Sequence, residues 1–274
     1  MDLFESIWKS SLLGTVQGLT EFLPVSSSGH LSLLQRILHF SMEGGSMTFL
    51  NVMLHFGTLI AVIIVFWRDI LALFKRPYKT LLMLIAATIP AGVVGVLCSS
   101  QIDGLFAGER GLAYLAVCFT VTALILLVTE IVAKRRKKHC VLSWNNAICM
   151  GLTQAIALFP GISRSGSTIA AGTLSGAQAK DVAKFSFLMS IPVILGGVVL
   201  ELKGIIFPDE GVSIAVGTNE IIGMLFGVVF AGVSGFFAIK VMLKVIGKAN
   251  YKWFSLYLVL LSLTCFWLDI LAVL

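Results

Sequence analysis

Gln17 and Glu21 stand four residues apart, so on a helix they share one face. Both end in oxygen donors of the kind that hold a hard divalent cation such as Mg²⁺ or Ca²⁺. Pro24 ends that helix, and Ser26, Ser27, Ser28, Gly29 and His30 follow it. One of these hydroxyls becomes a nucleophile if His30 takes its proton. Further along the chain, FPGISRSGS contributes Arg164, whose planar guanidinium grips phosphate oxygens with two bonds. Backbone amides at Gly29 and Gly166 open new helices, and helix N-termini bind anions. Carboxylate, cation, hydroxyls, imidazole, guanidinium and helix N-termini together describe a site for a phosphate ester or anhydride. The chain has no G-x-x-x-x-G-K-[ST] stretch, which excludes a P-loop.

The elements that position these groups must cross or enter a membrane. The chain has 274 residues, of which 58% are hydrophobic and 12% charged, against about 25% charge in ordinary soluble domains. Its mean hydropathy is +0.98. Six segments are long and apolar enough to span, at about 49–67, 79–98, 111–133, 185–202, 219–239 and 253–274. The net charge of +6 is a matter of loops: 68–80, 134–138, 178–185 and 240–252 hold 15 of the 20 Lys and Arg residues. The loops 99–110 and 203–218 have one basic residue each, Arg110 and Lys203, beside Asp103, Glu109, Asp209 and Glu210. Basic loops face the cytoplasm, so the excess charge reads as topology and not as a nucleic-acid surface. The five cysteines (Cys98, Cys118, Cys140, Cys149, Cys265) form no C-x-x-C pair and suggest neither a disulfide framework nor a zinc site. The start, MDLFESIWKS, lacks the basic flank of a signal peptide and reads as mature protein.

With 68–80 and 134–138 inside, the stretch 1–48 must begin and end outside. The stretch 139–184 must likewise begin and end inside. Each is split by a Pro/Gly/Ser cluster, LPVSSSG or FPGISRSG. The second arm of the first, Gly29 to Ser41, reaches only about 20 Å at 1.5 Å per residue. Both stretches therefore read as re-entrant hairpins. They align without a gap at an offset of 137: Gln17 on Gln154, Phe22 on Phe159, Ser26 on Ser163, Ser28 on Ser165 and Gly29 on Gly166. Arg164 takes the place of Ser27, and Ser167 that of His30. The expected fold is an all-α polytopic membrane protein, a single integral membrane domain. It has six transmembrane helices plus two re-entrant helical hairpins in an inverted-topology repeat, repeat 1 at about 1–133 and repeat 2 at about 139–274. Inverted repeats place their binding site where the broken helices meet.

Serine and glycine clusters in membrane helices also serve as packing devices, and Gly18, Gly29 and Gly166 suit that role. Glu21 and Arg164 do not, because ionisable groups at membrane depth are costly and kept for function. His30, on the tip beside Ser27, reads as a site residue. His55 lies inside a span and reads as a packed histidine, and His39 and His139 read as interfacial.

LTEFLPVSSSGHL (Leu19 to Leu31) and PGISRSGSTI (Pro160 to Ile169) resemble the two signatures of the undecaprenyl-diphosphate phosphatase family, linked to bacitracin resistance. The resemblance extends over essentially the whole chain in length, segment count and motif separation. It implies a metal-dependent hydrolase of the bacterial plasma membrane, its site open to the extracytoplasmic side. Such an enzyme takes the terminal phosphate from a polyprenyl diphosphate and regenerates the monophosphate carrier for cell-wall synthesis. By position, the family's acidic pair falls on Gln17 and Glu21, with Gln here at the first place, so Glu21 becomes the principal metal or base residue. Ser27 and His30 match the nucleophile and its activating base. Arg164 matches the arginine that holds the diphosphate, with Ser163, Ser165 and Thr168 as further ligands beside Ser26, Ser28, Gly29 and Gly166. The attacking atom stays open among Ser27, His30 and a metal-bound water, and the resemblance leaves room for a homodimer.

Two rivals remain. Lipid phosphatases with P-S-G-H and S-R-x-x-x-x-x-H signatures share the Ser163–Arg164 pair, yet Ala170 stands where their histidine should be. A secondary transporter or flippase of a phosphorylated polyprenyl lipid would also have inverted repeats and broken helices.

Overall fold

A computed structural model describes residues 2–40, 42, 46–104, 111–136, 139–206, 216–246 and 250–273. Expectations placed on Ser41, Glu109, Arg110, Lys137, Lys138, Asp209, Glu210 and Lys248 fall outside these residues. Ten helices are described, in the order α1 (Leu3–Phe22), α2 (Ser27–Ile37), α3 (Ser46–Leu73), α4 (Lys79–Gly104), α5 (Gly111–Arg135), α6 (Trp144–Ile156), α7 (Arg164–Leu174), α8 (Ala179–Ile206), α9 (Thr218–Ile246) and α10 (Lys252–Val273). Six of them, α3, α4, α5, α8, α9 and α10, are long and apolar enough to cross a membrane. They fall on the six expected spans and overrun several of their ends. The segment expected at 49–67 runs from Ser46 to Leu73. An apolar window marks the hydrocarbon stretch, whereas the helix kinks at Phe66 (φ −105°, ψ 16°) and resumes beyond it through Arg68 and Asp69 to Leu73.

The other four helices form two broken pairs, α1–α2 and α6–α7. Asp2 opens α1 by accepting the Glu5 N–H at 2.6 Å. Leu23 ends it, because a residue before proline is pushed to extended backbone, here ψ 149° ahead of Pro24. Ser26 then starts α2 from a left-handed φ of 68°, its Oγ accepting the Gly29 N–H at 3.4 Å. In the second pair a Ser143–Asn146 capping box opens α6. Pro160 and Gly161, the latter at φ 91°, turn the chain, and Ser163 caps α7 by accepting the Gly166 N–H at 3.1 Å. α2 and α7 are both 11 residues long and stand at the offset of 137 seen in the sequence. The second arm of the first pair is shorter than the expected Gly29–Ser41. α2 stops at Ile37 because Leu38 and His39, at φ 45°, turn the chain away.

Small residues let α1 lie against α9. A Cβ added at Gly14 would stand 2.2 Å from the Gly227 carbonyl oxygen, and one at Gly18 2.3 Å from that of Ala231. α10 is pinned to α5 by hydroxyls. Ser262 Oγ donates to the Ala116 carbonyl at 2.7 Å, and Ser255 Oγ to that of Ala123 at 2.8 Å. Phe22, at the end of α1, meets the Phe187 ring of α8 edge-on at 5.7 Å, and both are fully buried. The first break thus sits in the protein interior, packed against a spanning helix.

Candidate active site

The two breaks meet. Ser165 Oγ, on α7, donates to the Leu23 carbonyl at 2.8 Å, and the Gly161 N–H donates to Ser28 Oγ at 3.3 Å. Each loop therefore satisfies polar groups of the other, as interior loops must. Between them lies a cavity of about 290 Å³. Its polar wall includes Glu21, Ser26, Ser27, Ser28, His55, Ser163, Arg164 and Ser165. Its other wall is apolar and belongs largely to α8, with Val193, Ile194, Gly197 and Val198.

Glu21 is the hub. It sits in the last turn of α1, 7% exposed. Its Oε1 receives Nη2 of Arg164 at 2.5 Å. Its Oε2 receives the Ser27 hydroxyl at 2.6 Å and the Gln17 amide at 3.0 Å. A buried carboxylate needs such partners, because stranding it costs several kcal/mol, on the order of 3–5. Arg164 has capacity left over: its Nη1 is buried without a partner among the described residues. Oε1 of Gln17 is likewise buried and unpartnered.

The two helix starts also have donors without a partner among the described residues. The first amides of a helix have no partner inside it. At α2 these belong to Ser27 and Ser28, and at α7 to Arg164 and Ser165, and all four residues line the cavity. The amides of Gly29 and Gly166, offered to an anion by the sequence, are taken by the caps Ser26 and Ser163. Gly29 serves packing as well, since a Cβ there would stand 2.6 Å from the Phe119 ring. Thr168 is fully buried away from the cavity lining, and its hydroxyl lies 2.7 Å from that of Ser186, tying α7 to α8.

The expected Ser27–His30 contact is not formed. Ser27 donates its hydrogen bond to Glu21 instead, while His30 turns toward α5 and α10. Its Nδ1 lies 2.7 Å from the Ser26 carbonyl, and its Nε2 2.6 Å from the Tyr257 hydroxyl. A carbonyl only accepts, so Nδ1 carries the proton and Nε2 accepts from tyrosine. The ring stacks on Tyr257 at 5.6 Å and an interplanar angle of 13°, and meets Phe119 edge-on. His30 thus holds Ser26 in its left-handed conformation from behind and does not line the cavity. The histidine that does is His55 of α3, with Nδ1 2.9 Å from Gln17 Nε2 and 3.7 Å from Glu21 Oε2. Its place inside an apolar span concealed this, although an ionisable group at membrane depth is itself a signal of function.

The chain is similar to known proteins. The family described as bacitracin resistance protein BacA matches residues 10–264. A protein named undecaprenyl-diphosphatase from Carboxydothermus hydrogenoformans is 39% identical over 258 residues, 94% of this chain and 95% of its own. One of the same name from Halothermothrix orenii is 37% identical over 256 residues, 92% and 93% of the two chains. Another, from Methanobrevibacter smithii, is 40% identical over 279 aligned positions and covers 94% of each. With the match running from within α1 to within α10, the chain belongs to the bacitracin resistance protein BacA family.

Proposed function

We propose that this membrane protein hydrolyses undecaprenyl diphosphate to undecaprenyl phosphate and inorganic phosphate. The observation that carries the reading is the Arg164–Glu21–Ser27 chain at the meeting of two helix starts. In this reading the unpartnered Nη1 of Arg164 and the amides heading α2 and α7 meet the charge of a diphosphate. Nη2 stays on Glu21 meanwhile, so the terminal phosphate seats without breaking the ion pair. The apolar α8 wall receives the first isoprene units of the lipid.

Ser27 is the attacking group in this reading. Its Oγ bonds to the terminal phosphorus as the proton passes to Glu21 Oε2, and the bridging P–O bond breaks, releasing polyprenyl phosphate. Water then attacks the phosphoserine, Glu21 returns the proton to Oγ, and inorganic phosphate leaves. Oriented donors in a water-poor site stabilise the charge that develops on the transferred phosphoryl oxygens. His30 acts on this step by position, through Ser26.

The donor set also fits a divalent cation. Gln17 Oε1 is a buried hard oxygen without a partner, one helical turn from the Glu21 carboxylate. One carboxylate and an amide do not make an all-protein cage, but Mg²⁺ is commonly held by one carboxylate together with phosphate oxygens. Glu21, the carboxylate on the cavity wall, would hold the ion together with phosphate oxygens, Gln17 would join it once its amide turned so that Oε1 and not NH₂ faced Glu21, and what the ion supplies when bound is neutralisation of the diphosphate charge.

The two broken pairs are, in this proposal, re-entrant hairpins of an inverted repeat in a plasma membrane. The basic loops lie in the cytoplasm and the cavity opens to the extracytoplasmic side. There the reaction would recycle the lipid carrier of cell-wall synthesis and confer resistance to bacitracin.

The test is phosphate release from undecaprenyl diphosphate by purified protein in detergent micelles. A hydrolase works there. A transporter of the same lipid has no compartments to move it between and releases nothing, which would replace this reading.

A further inference from the structure

Among the described residues, His55 is the one titratable side chain on the cavity wall to which the reaction above gives no part. Its ring belongs to α3, which supplies neither break, and it lines the cavity beside Glu21 and Ser27. The side chain is 31% exposed, whereas that of Glu21 next to it is 6% exposed. The Gln17 amide fixes how this ring is protonated. Gln17 Nε2 lies 3.0 Å from Glu21 Oε2, an oxygen that only accepts, so the amide presents its NH₂ on this side. The same nitrogen lies 2.9 Å from His55 Nδ1, which must therefore accept. The neutral ring then carries its proton on Nε2. Among the described residues no group takes a hydrogen bond from that Nε2. An N–H donor on a cavity wall at membrane depth is costly unless a ligand or water meets it.

The position of the ring says which ligand. His55 approaches Glu21 at Oε2 and Arg164 approaches it at Oε1, so imidazole and guanidinium meet the carboxylate at different oxygens. Ser27 Oγ is bonded to Oε2, the oxygen nearer His55. A phosphoryl group seated over Ser27 thus has both Arg164 and His55 as neighbours on the cavity wall.

We propose that His55 is a substrate-binding residue that donates its Nε2–H to an oxygen of the bound diphosphate, with Gln17 as the positioning residue that sets its tautomer. This rests on the diphosphatase reading. It assigns a third helix, α3, to recognition of the phosphates beside the two helix starts.

The experiment compares His55→Ala, His55→Asn and His55→Gln with the wild type in detergent, all checked by melting temperature. Two quantities are read: KM and kcat for undecaprenyl diphosphate, and binding of inorganic pyrophosphate by calorimetry. Glutamine puts an amide N–H about where Nε2 lies, and asparagine puts one about where Nδ1 lies. The expected result is a rise in KM and in pyrophosphate Kd of about 10- to 100-fold for alanine and asparagine, the range for a hydrogen bond to a charged group. Glutamine should recover most of that loss. Alanine binding pyrophosphate like the wild type, or glutamine and asparagine losing equally, would overturn the assignment. If alanine does not fold, the glutamine–asparagine contrast still decides. A wild type that binds pyrophosphate but releases no phosphate would sink the hydrolase reading, with the titration still deciding on His55.

Discussion

Glu21 and Arg164 are 143 residues apart in the chain, and their side chains meet at 2.5 Å. Each comes from a different broken helix pair, so the contact closes the two halves of the protein on one point. It also couples the groups that do the chemistry, because Ser27 bonds to the same carboxylate. Groups that act as one unit give non-additive losses. The double variant Glu21→Ala/Arg164→Ala should therefore be no slower than the worse single variant, measured as kcat/KM in detergent. Losses that multiply would mean the two residues act independently.

Ser27→Ala should lower kcat more than about 100-fold, since it removes the attacking atom. Acid-quenched wild-type enzyme should yield a phosphopeptide carrying Ser27, detected by mass spectrometry. A loss of only about tenfold with no phosphopeptide would make Ser27 a ligand and water the nucleophile.

Tyr257→Phe tests the role given to His30. The hydroxyl it removes lies 2.6 Å from His30 Nε2, and His30 holds the Ser26 carbonyl at 2.7 Å. Losing one such bond costs about 1 kcal/mol, so kcat should fall roughly fivefold with KM unchanged. His30→Ala should fall further. A Tyr257→Phe enzyme with wild-type kcat would show that α10 does not steady the first tip.

Gln17→Glu adds a second carboxylate one turn from Glu21. Cation affinity rises with ligand charge, so the Mg²⁺ concentration for half-maximal rate should drop by at least about threefold. A chelator should stop the wild type altogether. An unchanged Mg²⁺ dependence would take Gln17 out of the cation site.

Packing of α1 on α9 predicts a sharp contrast between glycines. Gly14→Val places its Cβ 2.2 Å from the Gly227 carbonyl oxygen, a backbone atom that cannot yield, and folded protein should be lost. Gly92→Ala meets nothing within 4 Å and should fold normally, with a gain of up to about 1 kcal/mol in helix propensity. Yield and melting temperature in detergent decide. A well-folded Gly14→Val would mean the seam is looser than described.

Much of this was legible in the chain. The six apolar helices follow from hydropathy, and the two breaks from Pro24 and from Pro160 with Gly161, because these residues constrain the backbone locally. That Glu21 and Arg164 belong to one site followed from the cost of charge at membrane depth. What stayed hidden depends on contacts between distant elements. Adjacency in SSSGH suggests a Ser27–His30 pair, yet the ring's orientation is decided by Tyr257, 227 residues away. His55 looks like one polar residue in an apolar run until α3 is laid beside α1. The amides of Gly29 and Gly166 seem free until the serines before them are seen to cap.

The most direct test of the account is the rate of phosphate release from undecaprenyl diphosphate by Arg164→Lys in detergent. Lysine keeps the charge that balances Glu21 and so keeps the fold, but it lacks the planar fork that holds Glu21 and phosphate together. The expected result is a folded protein with kcat/KM more than about 100-fold below the wild type. Turnover within a few-fold of the wild type would contradict it, because the guanidinium would then not be what joins the second tip to the reacting phosphate.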